Sequence, residues 1–486
     1  MKNNRRDFFK AGGLLSAGLL IPPQVTQAAT NVNSAHGSMV QDAKPFDPSK
    51  EPVRVRKNFV DLTDEELQNL CKAIGWMRTN SDIESRLYWS NYAKIHALHC
   101  TQSNAIHPQV HWSWHFLPWH RGYCYFLERI LANILTTEFN VDGTKFALPY
   151  WDWSTQREMP NTQGRIAKGM YSPFFGYDRS IENVTAPDNL GFDNSALYTG
   201  TRKPTIEQPD MDPDNELTSE SKEHTSETLF YTSQQYIDAI LTAPFEQFGG
   251  HPVSSRQNGQ GLLEQGPHNN MHDWVGIRFG SNRDMGTLRS AAEDPVFYMH
   301  HANIDRIWSL YTLPQPDPAG PWGQQEYIYT DIDGGLVRVS VQDIVTKCTN
   351  IEYAPSRLNS RKFAVTPLST VRSLVSVNKT VQPNKDLAVA VPNNFGTHRT
   401  ILADITTGVI NNTAKGQIKI FAGDVFLGKI NWMDGAHRQN WKPDMTHVFS
   451  VLLTDVPKNV KEITFRLPKN YKTAVEIKSI EFKPHL

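Results

Sequence analysis

The sequence predicts a mainly α-helical domain followed by an all-β domain. Before about residue 310, apolar residues recur at the three- and four-residue spacing of amphipathic helices, whereas after Pro321 they alternate or cluster in segments of strand length. The chain has 486 residues, of which 39% are hydrophobic and 20% are charged. This composition is typical of a soluble globular protein, and the length allows about three domains.

Composition and charge exclude several classes of protein. Lysine and arginine total 49 against 50 aspartate and glutamate residues, so neither a nucleic-acid-binding track nor a basic membrane face is expected. Because four cysteines cannot cross-link a chain of this length, a buried core must stabilise it. The 17 histidines and 12 tryptophans are unusual counts that suggest metal chemistry.

The first 28 residues have the pattern of an export signal. Arg5 and Arg6 precede Phe8-Phe9-Lys10, an apolar run covers residues 11–21, and small residues follow. These are the parts of a secretory signal, and the paired arginines resemble the bacterial twin-arginine type. The apolar run is shorter than the ~20 residues that span a bilayer. We therefore expect residues 1–28 to be a signal peptide and the mature protein to be periplasmic or secreted.

Helices are predicted in order along the first 310 residues. Thr63 with three following acidic residues predicts a capped helix from Leu62 to about Asn80. The remaining helical patterns cover residues 118–135, 233–241, 267–275 and 294–311. The last of them has Asp294 as its cap and Pro295 at its first position. Residues 147–153 are predicted to form an aromatic loop, and the polar, proline-rich residues 200–228 a surface excursion.

Strands are predicted after Pro321 wherever short apolar segments are separated by Gly, Asn, Asp or Pro. These segments are 336–341, 387–391, 417–421, 448–453, 463–467 and 475–482. We accordingly assign residues 29–310 to a helical catalytic domain, 311–361 to a connector and 362–486 to a C-terminal β domain.

Histidine is concentrated in two parts of the chain. One cluster comprises His96, His99, His107, His111, His115 and His120, and the other comprises His268, His272, His300 and His301. His268 and His272 are four residues apart and would share one helical face, from which both imidazoles can reach one ion. The zinc-protease motif needs Glu directly after the first histidine, where this chain has Asn269. A nearly all-imidazole donor set suits copper, which has the highest affinity for such ligands.

Two long motifs resemble the type-3 copper proteins, which are tyrosinases, catechol oxidases and haemocyanins. The segments HALHC (96–100) and HWSWHFLPWHR (111–121) are similar to the first copper motif of plant-type polyphenol oxidases. The segments PHNNMHDW (267–274) and DPVFYMHHANIDR (294–306) are similar to the second. The resemblance implies a four-helix bundle holding a dicopper centre, followed by a sandwich-like β domain. It assigns one copper to His96, His111 and His120, and the other to His268, His272 and His301.

The remaining candidates around these ligands have less specific signals. The resemblance implies a thioether between Cys100 and His111, with a buried thiol as the alternative. His115 is a rival to His120, because residues 111 and 115 would lie on one helical face. His99, His107 and His300 are expected to be ordinary hydrogen-bonded residues. Asp305 and Arg306 are expected to form a structural ion pair, and Phe297 and Trp308 to belong to the core.

The resemblance also implies roles for three residues near the site. In the family, a glutamate four residues before the first ligand of the second copper holds a water, and an asparagine directly after that ligand assists. Glu264 and Asn269 occupy these positions, which favours monophenol hydroxylation because the phenol must lose a proton. Leu288 stands where plant enzymes carry a bulky phenylalanine, so a wider entrance is expected.

The predicted activity is a dicopper phenol oxidase that uses O₂ to oxidise o-diphenols to o-quinones and also hydroxylates monophenols. The alternatives are a catechol oxidase or o-aminophenol oxidase without useful hydroxylation, an oxygen carrier, or a zinc hydrolase. A small phenol and O₂ are the expected partners, with no nucleic acid and no membrane. The C-terminal domain is expected either to cover the active site as a lid or merely to stabilise the fold.

Overall fold

The structure is a computed structural model in which residues 44–486 form one compact unit. The described residues are 43–80, 82–101, 108–154, 195–197, 227–228, 230–254, 256–278, 281–282, 284–355, 373–393, 395–410, 416–433, 442–468, 471 and 473–485. The predicted signal at 1–28, His107 and most of the predicted excursion at 200–228 lie outside the described residues. No helix in the described ranges is long and apolar enough to cross a membrane.

The first part of the chain is mainly helical, as predicted. Its helices are α1 (Asp64–Thr79), α2 (Trp89–Thr101), α3 (Phe116–Phe139), α4 (Gln234–Ile240), α5 (Phe245–Phe248), α6 (Asn269–Gly276) and α7 (Val296–Ser309). A short π-helical segment, Glu264–His268, leads directly into α6. Helices α2, α3, α6 and α7 each carry one of the predicted copper ligands, in keeping with the expected four-helix bundle.

The predicted helix starts have local physical causes that the structure confirms. The Thr63 hydroxyl accepts the Glu66 backbone N–H, while the Glu66 carboxylate accepts that of Thr63, so α1 begins with a complete capping box. At α7, the Asp294 carboxylate accepts the backbone N–H of Val296 at 2.9 Å. Both contacts satisfy donors that a helix leaves unpaired at its first turn.

The connector is itself structured and packs against the N-terminal strands. It contains β6 (Glu326–Thr330), β7 (Leu336–Ser340), the helix α8 (Val341–Thr346) and β8 (Ile351–Tyr353). The strand β1 (Lys44–Pro45) pairs with β7, and β2 (Arg54–Arg56) pairs with β8, both in parallel. The connector is therefore attached to the start of the described chain through backbone hydrogen bonds.

The C-terminal part is a pair of sheets, and all five strands predicted beyond the connector are present. The strands are β9 (Ser373–Val381), β10 (Leu387–Ala390), β11 (Thr400–Thr407), β12 (Gly416–Ala422), β13 (Val425–Trp432), β14 (Thr446–Leu453), β15 (Glu462–Arg466) and β16 (Val475–His485). One sheet has the order β10-β15-β12-β13. The other has the order β3-β14-β11-β16-β9, in which β3 (Gln257–Gln260) comes from the helical part of the chain. Two short strands of the helical part, β4 (Ile277–Arg278) and β5 (Ser281–Asn282), form a separate antiparallel pair.

The strand β3 joins the helical part to the C-terminal sheet. It pairs in parallel with β14, from Gln257 beside Thr446 to Gln260 beside Phe449. The side chain of Trp112, which precedes α3, also lies in the core of the β domain and not in the helical core. The two parts consequently share both a sheet edge and a hydrophobic core.

Candidate metal centre

The second histidine motif lies on an irregular helical turn. Pro267 stands inside the π-helical segment, where it has no N–H to donate and its ring obstructs the regular α-helical hydrogen bond. A π-helical turn accommodates this interruption, and such turns occur frequently at functional sites. Glu264 at its start and His268 at its end are both completely buried.

The turn before α3 positions His111. Trp112 has a φ angle of 57°, a left-handed conformation that costs about 1–2 kcal/mol for a residue with a side chain. Two contacts stabilise it: the Trp112 N–H donates to the Glu264 carboxylate at 2.9 Å, and the indole packs 5.1 Å from the Phe449 ring. The backbone direction at His111 is thus set jointly by Glu264 and the β domain.

The structure brings the six predicted ligands together in two clusters. In the first, ring nitrogens of His96, His111 and His120 all lie within 4.8 Å of one another. The second contains His268, His272 and His301 together with His300, within the same distance. Every one of these rings is buried, and all seven donors are imidazoles. An all-nitrogen donor set fits copper better than the mixed sets typical of catalytic zinc.

The two clusters face each other across a short distance. His120 and His301 stack with ring centroids 4.1 Å apart and an interplanar angle of 6°. His111 and His268 face each other at 5.7 Å. The Phe297 ring lies against both clusters, 4.8 Å from His96 and 4.2 Å from His301. Phe297 is therefore a core residue, as predicted, and it also supports rings of both clusters.

Hydrogen bonds from Nδ1 to backbone carbonyls orient two of these imidazoles for metal binding. His120 Nδ1 lies 2.7 Å from the Phe116 carbonyl, and His272 Nδ1 lies 2.7 Å from the Met285 carbonyl. Since a carbonyl only accepts, each Nδ1 carries the proton and each Nε2 presents a lone pair. The Nε2 atoms of His120, His268 and His272 are buried without a hydrogen-bond partner among the described residues. Buried lone pairs of this kind fit a metal ion, and the outer hydrogen bonds fix the ring orientations.

A hydrogen bond with Trp153 distinguishes His300 from its neighbour His301 as a possible metal ligand. The Trp153 indole Nε1 lies 3.1 Å from His300 Nδ1, and an indole N–H can only donate. The neutral His300 ring must then carry its proton on Nε2, which leaves no lone pair for a metal. Neither nitrogen of His301 has a hydrogen-bond partner in the described part of the chain. This geometry favours His301 as the ligand, in agreement with the sequence prediction.

Burial keeps the imidazoles neutral. Desolvation lowers the pKa of His120 to about 3 and that of His272 to about 4. It also lowers the pKa of His96, His268 and His301 well below the ordinary value, with neighbouring histidines adding to the effect. Neutral rings are the form that binds a metal cation.

The rival ligand His115 and the histidine His99 both lie outside the two clusters. His115 is not in either cluster, and its Nε2 lies 3.2 Å from the Trp322 carbonyl. His99 Nδ1 lies 3.0 Å from the Pro108 carbonyl, so it has the ordinary hydrogen-bonded role that was predicted. The expected pair between Asp305 and Arg306 is wrong. The neighbours lie on different faces of α7, so Asp305 bonds to Arg121 at 2.6 Å and Arg306 to Asp152 at 2.9 Å.

Cys100 lies beside His111. Its Sγ is 3.1 Å from His111 Nδ1 and 3.4 Å from His96 Nε2, and it is completely buried. The four cysteines all lie in the described ranges, and no disulfide joins any of them.

Glu264 and Asn269 are part of one buried hydrogen-bond network. The Asn269 Nδ2 donates to the Asn431 carbonyl at 2.9 Å and to Gln260 Oε1 at 3.3 Å. Gln260 Nε2 in turn donates to Glu264 Oε1 at 3.2 Å. His268 Nδ1 lies 2.9 Å from Asn269 Oδ1. Burial raises the pKa of Glu264 to about 8, partly offset by the N–H of Trp112 and the Gln260 amide.

Leu288 does not border an open entrance in this structure. It is 1% exposed and forms a small apolar cluster with Cys100 and Met433, a residue of the C-terminal domain. The backbone of Leu288 also hydrogen-bonds His96. The position predicted to widen the entrance is therefore covered by Met433 in the intact chain.

Several residues of the site had no signal in the sequence. Gln260 is close to Glu264 and Asn269 in the chain, but its strand is held by pairing with β14. Asn431 comes from β13 and reaches Asn269 only through tertiary packing. Trp153 belongs to the predicted aromatic loop, but its pairing with His300 could not be inferred from spacing. Met433 follows β13 and reaches the site only because the β domain packs over it.

The comparisons with known proteins agree with this geometry. Residues 86–313 match the family model described as the common central domain of tyrosinase. The latent form of a chloroplastic polyphenol oxidase from Prunus armeniaca is 30% identical over 351 residues, which is 68% of this chain and 53% of that protein. The (+)-larreatricin hydroxylase of Larrea tridentata is 30% identical over 315 residues, covering 62% of this chain and 48% of that one. This chain thus spans about half the length of the curated relatives it matches.

The fold has a close counterpart among solved structures. A recombinantly expressed latent aurone synthase, a polyphenol oxidase, superposes with a TM-score of 0.64 over 91% of this chain and 92% of its own, at 24% identity. The match extends over the helical part and the C-terminal β part alike. On the combined evidence of the two histidine clusters, the family model and the curated relatives, the chain belongs to the tyrosinase family of type-3 copper polyphenol oxidases.

Proposed function

We propose that this protein is a dicopper phenol oxidase that uses O₂ to convert o-diphenols to o-quinones. His96, His111 and His120 would hold one copper, and His268, His272 and His301 the other. The observation that carries the proposal is the pair of buried, neutral, all-imidazole clusters that face each other through the His120–His301 stack. Two copper ions held there would supply the two-electron reduction of O₂ that this oxidation requires.

The protein's own residues hold the site dry and orient its donors. The Phe116 and Met285 carbonyls fix two ring orientations, and Phe297 packs beneath rings of both clusters. Oxidation of an o-diphenol to the quinone removes two electrons and two protons from the substrate. Glu264 is the buried carboxyl group of the site's hydrogen-bond network, and we assign it the role of proton acceptor, with Asn269 as its neighbour.

We also propose that the enzyme hydroxylates monophenols. A phenol must lose its proton before it can bind a metal ion, so the reaction requires Glu264 as the carboxylate. Burial raises the pKa of this carboxyl to about 8 in the metal-free protein, and two copper ions beside it would lower that pKa. The second candidate function is a catechol oxidase or o-aminophenol oxidase with little hydroxylation. A panel of tyrosine, tyramine, catechol and o-aminophenol, assayed from pH 6 to 9, distinguishes the two activities.

Glu264→Gln is expected to abolish the pH dependence of monophenol hydroxylation together with most of its rate. In the wild type, the rate should rise about tenfold per pH unit below the pKa of Glu264 in the copper-loaded protein and then level off, because only the carboxylate accepts the proton. Glu293→Gln is the matched control, since burial also raises the pKa of Glu293 but its carboxylate bonds to Ser90, outside the clusters. An unchanged pH profile in Glu264→Gln would contradict the assigned role.

The same variant should change the pH dependence of stability. The folded state keeps the Glu264 proton up to about pH 8, whereas the unfolded chain loses it near the ordinary value of 4.5. The native state therefore binds more protons over this interval, and this group lowers stability as pH rises from about 4.5 to 8. Thermal unfolding of the copper-free protein at pH 9 should show Glu264→Gln to be more stable than the wild type.

We propose a thioether between Cys100 and His111. The 3.1 Å approach of Sγ to the His111 ring supports it, because the bond would need only a small rearrangement. The new bond from Sγ to a ring carbon replaces the S–H bond of Cys100 and one ring C–H bond of His111, and the two protons and two electrons reduce O₂ to H₂O₂. Mass spectrometry of a reduced digest should then find the peptides of Cys100 and His111 joined and two hydrogens lighter than their sum. The peptide of Cys124, another buried thiol, serves as the control, and two separate peptides for 100 and 111 would refute the bond.

We further propose that the C-terminal domain, about residues 362–486, covers the site in the intact chain. Asn431 contacts Asn269, and Met433 packs on Leu288 and Cys100. Beneath this cover, Leu288 leaves more room than a phenylalanine, which favours bulkier phenols once the domain moves. Residues 29–310 would form the catalytic domain and 311–361 the connector.

The twin-arginine pattern at residues 1–28 supports export of a folded, metal-loaded protein to the periplasm or beyond. Fractionation of cells that express the full chain, with the paired arginines changed to lysines as the control, tests this route.

Metal analysis separates the remaining functional alternatives. Two copper ions per chain exclude a zinc hydrolase, and phenol oxidation after removal of the cover excludes a pure oxygen carrier.

A further inference from the structure

The inference concerns Gln260, a residue that connects Glu264 with Asn269. It is 1% exposed, and each end of its amide has a partner: Oε1 accepts from Asn269 at 3.3 Å, and Nε2 donates to Glu264 at 3.2 Å. Neither the family motifs nor the histidine spacing points to this position. The glutamine therefore bridges Glu264, the assigned proton acceptor, and its neighbour Asn269.

The orientation of the whole network starts at a backbone carbonyl. The Asn431 carbonyl can only accept, so it must face the Asn269 Nδ2 at 2.9 Å. Asn269 Oδ1 is thereby directed toward His268, whose Nδ1 donates at 2.9 Å and whose Nε2 keeps the lone pair. The second N–H of Asn269 requires an acceptor, which Gln260 Oε1 supplies. Gln260 must therefore direct its own N–H groups toward Glu264.

The backbone at Gln260 is held on both sides. Strand β3 pairs with β14 of the C-terminal sheet, and the Gly259 N–H donates to the Trp112 carbonyl at 2.9 Å. A Cβ at Gly259 would lie 2.4 Å from the Val448 carbonyl oxygen, so only glycine permits this close approach. The bridging amide thus extends from a strand that has little freedom to move.

We propose that Gln260 is a positioning residue, which holds Asn269 in the orientation that directs His268 Nε2 toward the metal and holds Glu264 in place by a hydrogen bond. This inference rests on the proposed function for its activity readout, but its effect on metal binding can be measured independently. Loss of an outer hydrogen-bond partner of a metal ligand typically costs about tenfold to a hundredfold in metal affinity or activity.

The test compares three variants of the full-length protein. Gln260→Met has a similar length but removes both hydrogen bonds, so copper affinity at the second site should fall about tenfold or more. The ratio of tyramine to catechol turnover should fall as well. Gln260→Glu still accepts from Asn269 but presents an acidic group to Glu264, so it should retain copper and lose mainly tyramine turnover. Gln265→Met is the matched control, because Gln265 is equally buried and neither end of its amide has a hydrogen-bond partner among the described residues.

Two readouts separate this inference from the proposed function. Copper titration of the metal-free variants and the absorption spectrum of the Co²⁺-loaded proteins report ligand geometry without any turnover. If the wild type binds two metals but oxidises no phenol, the proposed function fails while a weakened Gln260→Met site still supports the inference. If Gln260→Met matches Gln265→Met in metal affinity, Co²⁺ spectrum and substrate ratio, Gln260 has no positioning role.

Discussion

His268→Ala is expected to reduce copper from two ions to one per chain and to abolish oxidation of every phenol. His268 is completely buried, its Nε2 is directed away from Asn269, and no other described side chain in its cluster offers an equivalent lone pair to replace it. Since O₂ reduction needs both metals, the rate of phenol oxidation should fall below the detection limit. Copper analysis together with catechol turnover measures both effects.

The adjacent histidines give a sharper version of this experiment. Asparagine at position 300 can accept the Trp153 N–H where Nδ1 now does, so His300→Asn should retain two copper ions. His301→Asn should retain one, because Nε2 is lost from the cluster. His115→Gln is a further control, in which the amide N–H can still reach the Trp322 carbonyl. The ligand assignment is wrong if His300→Asn loses copper while His301→Asn keeps it.

Cleavage of the connector near residues 355–365 is expected to leave the two pieces associated and the site covered. The pieces share the pairing of β3 with β14 and a buried ion pair in which Glu227 bonds to Lys429 at 2.6 Å and to Lys419 at 2.7 Å. Lys429 is 1% exposed, so its charge depends on Glu227 for compensation. Size-exclusion chromatography of the cleaved protein should therefore show one species with low catechol turnover.

Glu227→Gln should convert this cleaved complex into two separated pieces with an active catalytic part. Removing one partner of a buried ion pair costs about 3–5 kcal/mol, which weakens the association at least about a hundredfold. Asp455→Asn is the control, since its pair with Arg399 is exposed and should contribute little. Met433→Ala in the uncleaved chain should also raise turnover, because it removes the side chain over Leu288 and Cys100. Spontaneous separation of the cleaved wild type would refute a tightly held cover.

Much of the fold could be predicted from local patterns in the sequence. The capping box at Thr63, the cap at Asp294 and the alternating strands after Pro321 all appear as expected. The strands that were not anticipated include β3, whose sequence Gln-Asn-Gly-Gln has no apolar alternation. It is a strand because the edge of another sheet supplies its hydrogen bonds. The sequence of the segment alone does not reveal which strand it pairs with.

The candidate site was likewise predictable from the sequence only in part. The histidine-rich segments were visible in the sequence, and their resemblance to type-3 copper motifs implied the six ligands, Glu264 and Asn269. The structure places the members of each cluster together. The ion pair assigned to Asp305 and Arg306 was wrong because neighbours in a helix diverge by about 100°, and each side chain found a partner on another element.

What the sequence by itself determined is the set of candidate donors and the metal chemistry that they suit. The two groups of histidines were evident directly, and their resemblance to type-3 copper motifs added the carboxyl group of Glu264 and the amide of Asn269. Only the tertiary structure decided which nitrogen of each ring is available to a metal, and that the Trp153 indole hydrogen-bonds His300. It also decided that Gln260 links Glu264 to Asn269 and that Met433 lies over the site. The physical reason is that the identity of a donor is a property of one residue. Its proton, its orientation and its access to solvent depend on partners that the fold brings into contact. Two of them are far away in the chain: Trp153 lies 147 positions from His300, and Asn431 lies 162 positions from Asn269.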